Sequence, residues 1–283
     1  MQNPVAHPAP IGVYDSGVGG LAVLRALRKR LPGESFIYVA DSANAPYGDR
    51  TPEFVECRAK EVTRFLVQRH AKAVVLACNT ASVVAAQRLR TLHDVPIIAM
   101  EPAIKPATLL TKSRVVLVLA TTNTIRSESV ARLCRTYGTD TRIILQPCPG
   151  LADRVERGEF QHIETRLLLE TYIRPGLVAG ADTIVLGCTH YAFLADEIAA
   201  VAGPSVIVLE PSDAIARQLS RVLPATQEPH HRAATTSFFS SGSTPHMRAF
   251  LASIGEASQQ VQVLPAMGNP SDEARPCGKP PAS

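Results

Sequence analysis

The apolar residues fall into short runs that stop at small polar residues, and most runs are followed by apolar positions spaced three and four apart. Ile11-Gly12-Val13-Tyr14 stops at Asp15-Ser16-Gly17-Val18-Gly19-Gly20, after which Leu21, Leu24, Leu27 and Leu31 recur at helical spacing until Pro32-Gly33. A second run, 35–40, delivers Asp41-Ser42. The loop through Asn44-Ala45-Pro46-Tyr47-Gly48-Asp49-Arg50 then leads to Thr51-Pro52-Glu53, where threonine as N-cap and proline at the first helical position start a helix running to about residue 70. A third run, Val74-Val75-Leu76-Ala77, ends on Cys78-Asn79-Thr80, with a helix expected over 82–92 and a strand at 96–99. Strands alternating with helices at this rhythm predict an α/β fold, with parallel sheets carrying helices on their faces.

The plan then repeats. A strand at 114–119 is followed by the loop Ala120-Thr121-Thr122-Asn123-Thr124, a helix at 125–137, a strand at 142–145 and helices at 151–157 and 162–178. Ile184-Val185-Leu186-Gly187 then delivers Cys188-Thr189-His190. Cys78 and Cys188 are 110 residues apart, the Glu-Pro pairs at Glu101 and Glu210 are 109 apart, and the first strands end 105 apart, at Tyr14 and Leu119. Three landmarks at nearly one offset predict two related, pseudo-symmetric units facing each other, each supplying one thiol. The Glu-Pro pairs mark the crossovers. A helix at 214–222, a polar loop at 227–233, a strand at 235–240, a helix opened by Ser243-Thr244-Pro245 and a short strand at 261–264 complete the chain. The first domain is accordingly expected over 1–100 plus 211–265 and the second over 101–210, with a Pro-, Gly- and Ser-rich tail, 266–283, expected to be disordered.

At 283 residues and 46% apolar composition the chain has enough to build large cores. The net charge of +4 is spread along the chain, aromatic residues make up 5% and tryptophan is absent, so nucleic acid is not expected as a partner. No apolar run is long enough to cross a bilayer, and the first ten residues lack a basic region and an apolar signal core. A cytoplasmic setting with no membrane association is expected. The six cysteines are far apart, with no CxxC pair and no zinc-like Cys/His spacing, so neither a disulfide framework nor a metal site is expected. Cys57, Cys134 and Cys148 read as small buried hydrophobes, and Cys277 lies in the tail.

Ligands of open parallel sheets bind at the carboxyl ends of the strands. Here those ends carry Asp15-Ser16, Asp41-Ser42, Cys78-Asn79-Thr80, Thr121 to Thr124 and Cys188-Thr189-His190. Short hydroxyls, amides and acids beside helix N-termini suit a small polar anion. A thiol of pKa about 8.5 is only roughly a tenth ionised at pH 7.5. A helix terminus supplies about 0.3 to 1 kcal/mol, less than one pKa unit, so His190 and Asp15 are the expected proton partners. A cysteine hydrolase would leave the second thiol without a task. Two thiols from mirrored units fit a carbon acid that loses its proton on one face and regains it on the other, which is racemisation. None of the six lysines lies at a strand-end loop, so no pyridoxal phosphate or other cofactor is expected. Gly17-Val18-Gly19-Gly20-Leu21-Ala22 also fits GxGxxG/A, which keeps open an NAD(P)-dependent oxidoreductase, although Asp15 and Ser16 intervene where the glycines should follow the strand directly. A non-catalytic amino-acid-binding protein is a further alternative, disfavoured by the two thiols.

The segments IGVYDSGVGGL, ADSANAPYG, ACNTAS and GCTHY, in this order and separation, resemble the glutamate racemases of the cofactor-independent aspartate/glutamate racemase superfamily over nearly the whole chain before the tail. The resemblance implies that Cys78 deprotonates the D enantiomer and Cys188 the L enantiomer. It implies auxiliary roles for Asp15, His190 and Glu156, and substrate contacts from Asp15, Ser16, Tyr47, Gly48, Asn79, Thr80, Thr121, Thr124, Thr189 and His190. It further implies glutamate as substrate, D-glutamate supply for peptidoglycan and a homodimer, with a racemase acting on aspartate or another small acid as the nearest alternative. The chain departs from the family pattern at Ala192, where proline is common, and at Thr122-Asn123, where a glycine-containing pair is usual.

Overall fold

The computed structural model describes residues 9–223, 234–256 and 259–265, so the polar loop at 227–233 and the tail lie outside the described residues. In chain order the strands are β1 (Ile11–Asp15), β2 (Phe36–Ala40), β3 (Ala73–Leu76), β4 (Ile97–Ala99), β5 (Val115–Ala120), β6 (Arg142–Pro147), β7 (Thr183–Gly187), β8 (Ile207–Leu209), β9 (Thr236–Ser240) and β10 (Val261–Val263). The helices are α1 (Leu21–Arg30), α2 (Pro52–Gln68), α3 (Asn79–Leu92), α4 (Ile104–Leu110), α5 (Thr122–Arg126), α6 (Glu128–Tyr137), α7 (Leu151–Glu156), α8 (Ile163–Val178), α9 (Ala195–Ala202), α10 (Ser212–Val222) and α11 (Thr244–Ser253).

Two all-parallel sheets result, one ordered β10-β9-β2-β1-β3-β4 and the other β6-β5-β7-β8. The repeat is visible in that order: β2-β1-β3-β4 and β6-β5-β7-β8 are the same arrangement, with β9 and β10 added to the first sheet. Cys78 follows β3 and Cys188 follows β7, so the two thiols leave equivalent strands.

Alternation along the strands sets the packing. In β3, Val74 and Leu76 face α2 and α3, while Ala73 and Val75 face the opposite cluster with α1, α10 and α11. Both faces are covered, which is why these strands read as unbroken apolar runs. The second of those clusters continues into the other sheet through Leu117, Leu119, Ile184 and Leu186, so one core joins the two halves. At that junction Phe250 of α11 meets Phe160 and Phe193 edge-on, with ring centroids 5.7 and 5.3 Å apart.

Three boundaries differ from expectation. The helix expected at 82–92 starts at Asn79, because Cys78 itself caps it: the sulfur accepts the Ala81 N–H at 3.5 Å. The helix expected at 125–137 is two helices, since the Thr121 side chain caps α5 and Ser127 caps α6. Between Cys188 and β8 the chain forms a 3-10 turn, Thr189–Leu194, and α9, where the sequence predicts no element.

Candidate active site

The carboxyl ends of the two sheets face each other, and the short polar residues that follow their strands meet there. Both thiols are buried, Cys78 at 5% and Cys188 at 7% exposure. Cys78 sits at the start of α3, its S–H directed to Ser16 Oγ at 3.6 Å and its sulfur receiving the Ala81 N–H. Burial pushes this thiol well up, and the charge of Asp15 adds to the effect, against the hydrogen bonds from Ala81 and Ser16. Both effects favour the neutral S–H at Cys78.

The Cys188 station is built differently. His190 Nδ1 lies 3.7 Å from Cys188 Sγ, and His190 Nε2 donates to Glu156 Oε1 at 2.7 Å. Burial acts to lower the imidazole pKa, but the hydrogen bonds and charges of Cys188 and Glu156 outweigh it and hold His190 well above its ordinary value. For Glu156, burial acts upward and is overcome by His190 and by the Val18 N–H, which leaves the carboxyl below its usual range. The imidazole thus stands between the Cys188 sulfur and the Glu156 carboxylate.

Glu156 ends α7 in the second half, yet Oε1 also receives the Val18 N–H of the first half at 2.9 Å, and its carbonyl accepts from His246 Nε2 of α11 at 2.7 Å. Asp15, at the end of β1, accepts the Gly20 N–H at 2.7 Å and the Thr189 hydroxyl of the other half at 3.5 Å. Burial raises its pKa, opposed by His190 and by the Gly20 N–H. Asp15 was expected to be a proton partner of a thiol; its hydrogen bonds instead go to Gly20 and Thr189, while the Cys78 S–H goes to Ser16.

On the opposite side of the cleft, Thr80 Oγ1 is 2.9 Å from Thr121 Oγ1 and 3.4 Å from Thr124 Oγ1. Asn79 is buried, and among the described residues neither its amide nitrogen nor its carbonyl oxygen has a hydrogen-bond partner. An orphaned buried amide costs about 1 to 3 kcal/mol unless a ligand satisfies it. Tyr47 is placed otherwise than a direct contact through its hydroxyl requires: that group donates to Asp41 at 2.5 Å and lies 2.7 Å from Tyr14, leaving only the backbone at Tyr47-Gly48 towards the cleft. Gly48 is packed so closely on Thr121 that an added Cβ would lie 3.0 Å from the threonine Cβ.

Of the remaining cysteines, Cys148 is buried as expected and burial raises its pKa, whereas Cys57 and Cys134 are only half-buried. Among the described residues no group of three or more His, Cys, Asp and Glu is placed to hold a metal ion. The glycine loop does not form a dinucleotide cradle. The Gly20 N–H just before α1 is taken by Asp15, and a Cβ at Gly19 would lie 2.5 Å from His190 Nδ1, in space that a pyrophosphate would need.

Two parallel sheets whose equivalent strands each deliver a buried thiol define an α/β protein built of two related halves. The family model for Asp/Glu/hydantoin racemases matches residues 20–219, and the chain belongs to that family. It is 48% identical to a glutamate racemase from Methylococcus capsulatus over 259 residues, covering 91% of this chain and 96% of the relative. Among solved structures, glutamate racemase isoform RacE1 from Bacillus anthracis superposes with a TM-score of 0.82 at 29% identity, over 92% of this chain and 98% of that one. The Escherichia coli glutamate racemase, in complex with L-glutamate and an activator, gives a TM-score of 0.79 at 29% identity over 90% and 98% of the two chains.

Proposed function

We propose that this chain is a glutamate racemase, working without pyridoxal phosphate by transferring the α-proton between two cysteines, and that it supplies D-glutamate for peptidoglycan. The observation that carries the reading is the pair of buried thiols at equivalent strand ends: His190 Nδ1 lies 3.7 Å from Cys188 Sγ with Glu156 behind it, while Cys78 directs its S–H to Ser16. L-glutamate would lose its Cα proton to the Cys188 thiolate. The electron pair left on Cα is delocalised into the substrate carboxylate, and Cys78 then gives its S–H proton to the opposite face, producing D-glutamate. The enzyme is left with the protons exchanged, Cys78 as thiolate and Cys188 as thiol, ready for the reverse direction.

Asn79, Ser16, Thr80, Thr121, Thr124 and Thr189 are proposed to bind the substrate, with Asp15 holding Thr189 and the start of α1. The cleft is taken to separate the domain 1–100 plus 211–265 from the domain 101–210. No helix among the described residues is long and apolar enough to cross a membrane. A cytoplasmic homodimer acting on a small molecule, with no nucleic-acid or membrane partner, is part of the proposal.

The test is chiral chromatography of L- or D-glutamate incubated in D2O with the purified protein, free of pyridoxal phosphate. Interconversion with one deuterium at Cα of the product is expected, and loss of both in Cys78→Ala and Cys188→Ala. No interconversion of glutamate overturns the reading, and turnover of aspartate in its place would reassign the substrate.

A further inference from the structure

Asn123 bridges the two halves. Its Nδ2 donates one N–H to the Tyr47 carbonyl at 3.0 Å and the other to the Arg50 carbonyl at 2.7 Å. Asn123 belongs to α5, beside β5 of the second sheet, whereas the accepting turn follows β2 of the first. The turn is anchored from behind as well: the Tyr47 hydroxyl is held by Asp41, and Asp41 by a two-pronged contact with Arg58 at 2.9 and 2.8 Å. On its cleft side Gly48 lies against Thr121.

We propose that Asn123 is a positioning residue, a clamp whose carboxamide draws the Tyr47–Asp49 turn onto α5 and holds the cleft closed over bound substrate. The inference rests on the racemase reading of the cleft. Both sulfurs and Asn79 are buried in the closed arrangement, so substrate can reach them only when the halves part, and parting must break both Asn123 bonds. A ligand that binds only the closed form is bound more weakly in proportion to the closed population. Opening and product release, in turn, become faster as the clamp weakens. The donor character is the essential feature. A glycine at this position would offer no side-chain N–H, and a carboxylate would set a negative charge against two carbonyl oxygens.

Asn123→Ala and the isosteric Asn123→Asp separate a donor from a space-filler. Both variants are expected to raise KM for L- and D-glutamate about tenfold, with kcat unchanged or higher; tenfold is about 1.4 kcal/mol. Asn123→Asp should be at least as impaired as Asn123→Ala, and thermal midpoints should stay close to that of the parent protein. Hydrogen exchange of the 47–53 amides, measured without substrate, should accelerate in both variants. Unchanged KM and unchanged exchange in Asn123→Asp would overturn the clamp, as would a loss of kcat and thermal stability with KM unmoved. If the parent protein does not turn over glutamate, the racemase reading fails, and the exchange measurement still decides whether Asn123 clamps the turn.

Discussion

Glu156 Oε1 lies 2.7 Å from His190 Nε2 and 2.9 Å from the Val18 nitrogen, so one carboxylate oxygen ties the Cys188 station to the glycine loop of the other half. The carboxylate holds the imidazole charged, and the imidazole faces the sulfur at 3.7 Å. Glu156→Gln keeps a hydrogen-bonding side chain but removes the charge. It is expected to lower kcat/KM by about 10- to 100-fold, within the range for weakened acid–base catalysis. The loss must be equal in the two directions, because enantiomers have equal free energy in water. The primary isotope effect with Cα-deuterated substrate should rise for L-glutamate, whose proton Cys188 accepts, more than for D-glutamate. Unchanged kcat/KM in stopped-time chiral assays would assign the carboxylate to structure alone.

Gly19 is required by its neighbours from the other half. A Cβ there would lie 2.5 Å from His190 Nδ1 and 2.7 Å from Thr189 Oγ1. Gly19→Ala is expected to push the stations apart, reducing kcat/KM by a factor of about 100 at a stability cost of about 1 to 3 kcal/mol, as for other overpacked sites. Parallel kinetics and urea unfolding check this. Full activity would mean that the loop can yield without moving His190.

The alternation of apolar runs with helical patterns made the α/β character and most elements legible, because fully buried strands and amphipathic helices leave different periods. The common order β2-β1-β3-β4 and β6-β5-β7-β8 was foreshadowed by the near-constant offset between Cys78 and Cys188, Tyr14 and Leu119, and Glu101 and Glu210. What stayed hidden depends on contacts across the cleft. Nothing local to Asn123 signals that its amide will meet carbonyls more than seventy residues away. Tyr47 belongs to a loop assigned to substrate by resemblance, yet its hydroxyl turns inward, because Asp41 and Arg58 form a polar pair that needs a donor there. Ser127 caps a helix within a segment whose apolar spacing continues past it, so the break between α5 and α6 left no trace in the period. His246, which supports Glu156 from α11, sits in a segment that offers only a helix start signal.

Arg58 and Asp41 form an almost fully buried ion pair, with side chains 14% and 0% exposed. Asp41 also accepts from Tyr47 and Asn44, so its charge is built into the base of the substrate-side turn. Arg58→Met keeps the apolar stem but strands the carboxylate. The expected loss is about 3 to 5 kcal/mol of unfolding free energy, the usual consequence of removing one partner of a buried pair. Urea denaturation followed by far-UV circular dichroism measures it. A loss below about 1 kcal/mol would place the pair in the range of solvent-screened surface contacts.

The pairing of His190 with Glu156 also sets a pH window for stability. Glu156 titrates below its ordinary 4.5 in the folded protein, so its contribution is present above 4.5 and is lost as pH falls through the lower folded value. His190 titrates well above its ordinary 6.5, so its contribution is complete below 6.5 and is lost as pH rises through the higher folded value. The stability difference between the parent protein and Glu156→Gln should therefore be greatest between 4.5 and 6.5 and shrink on both sides. Urea midpoints of the two proteins across this range and one unit beyond it at each end provide the measurement. A difference that stays flat through both limbs would mean that the contact is an uncharged hydrogen bond.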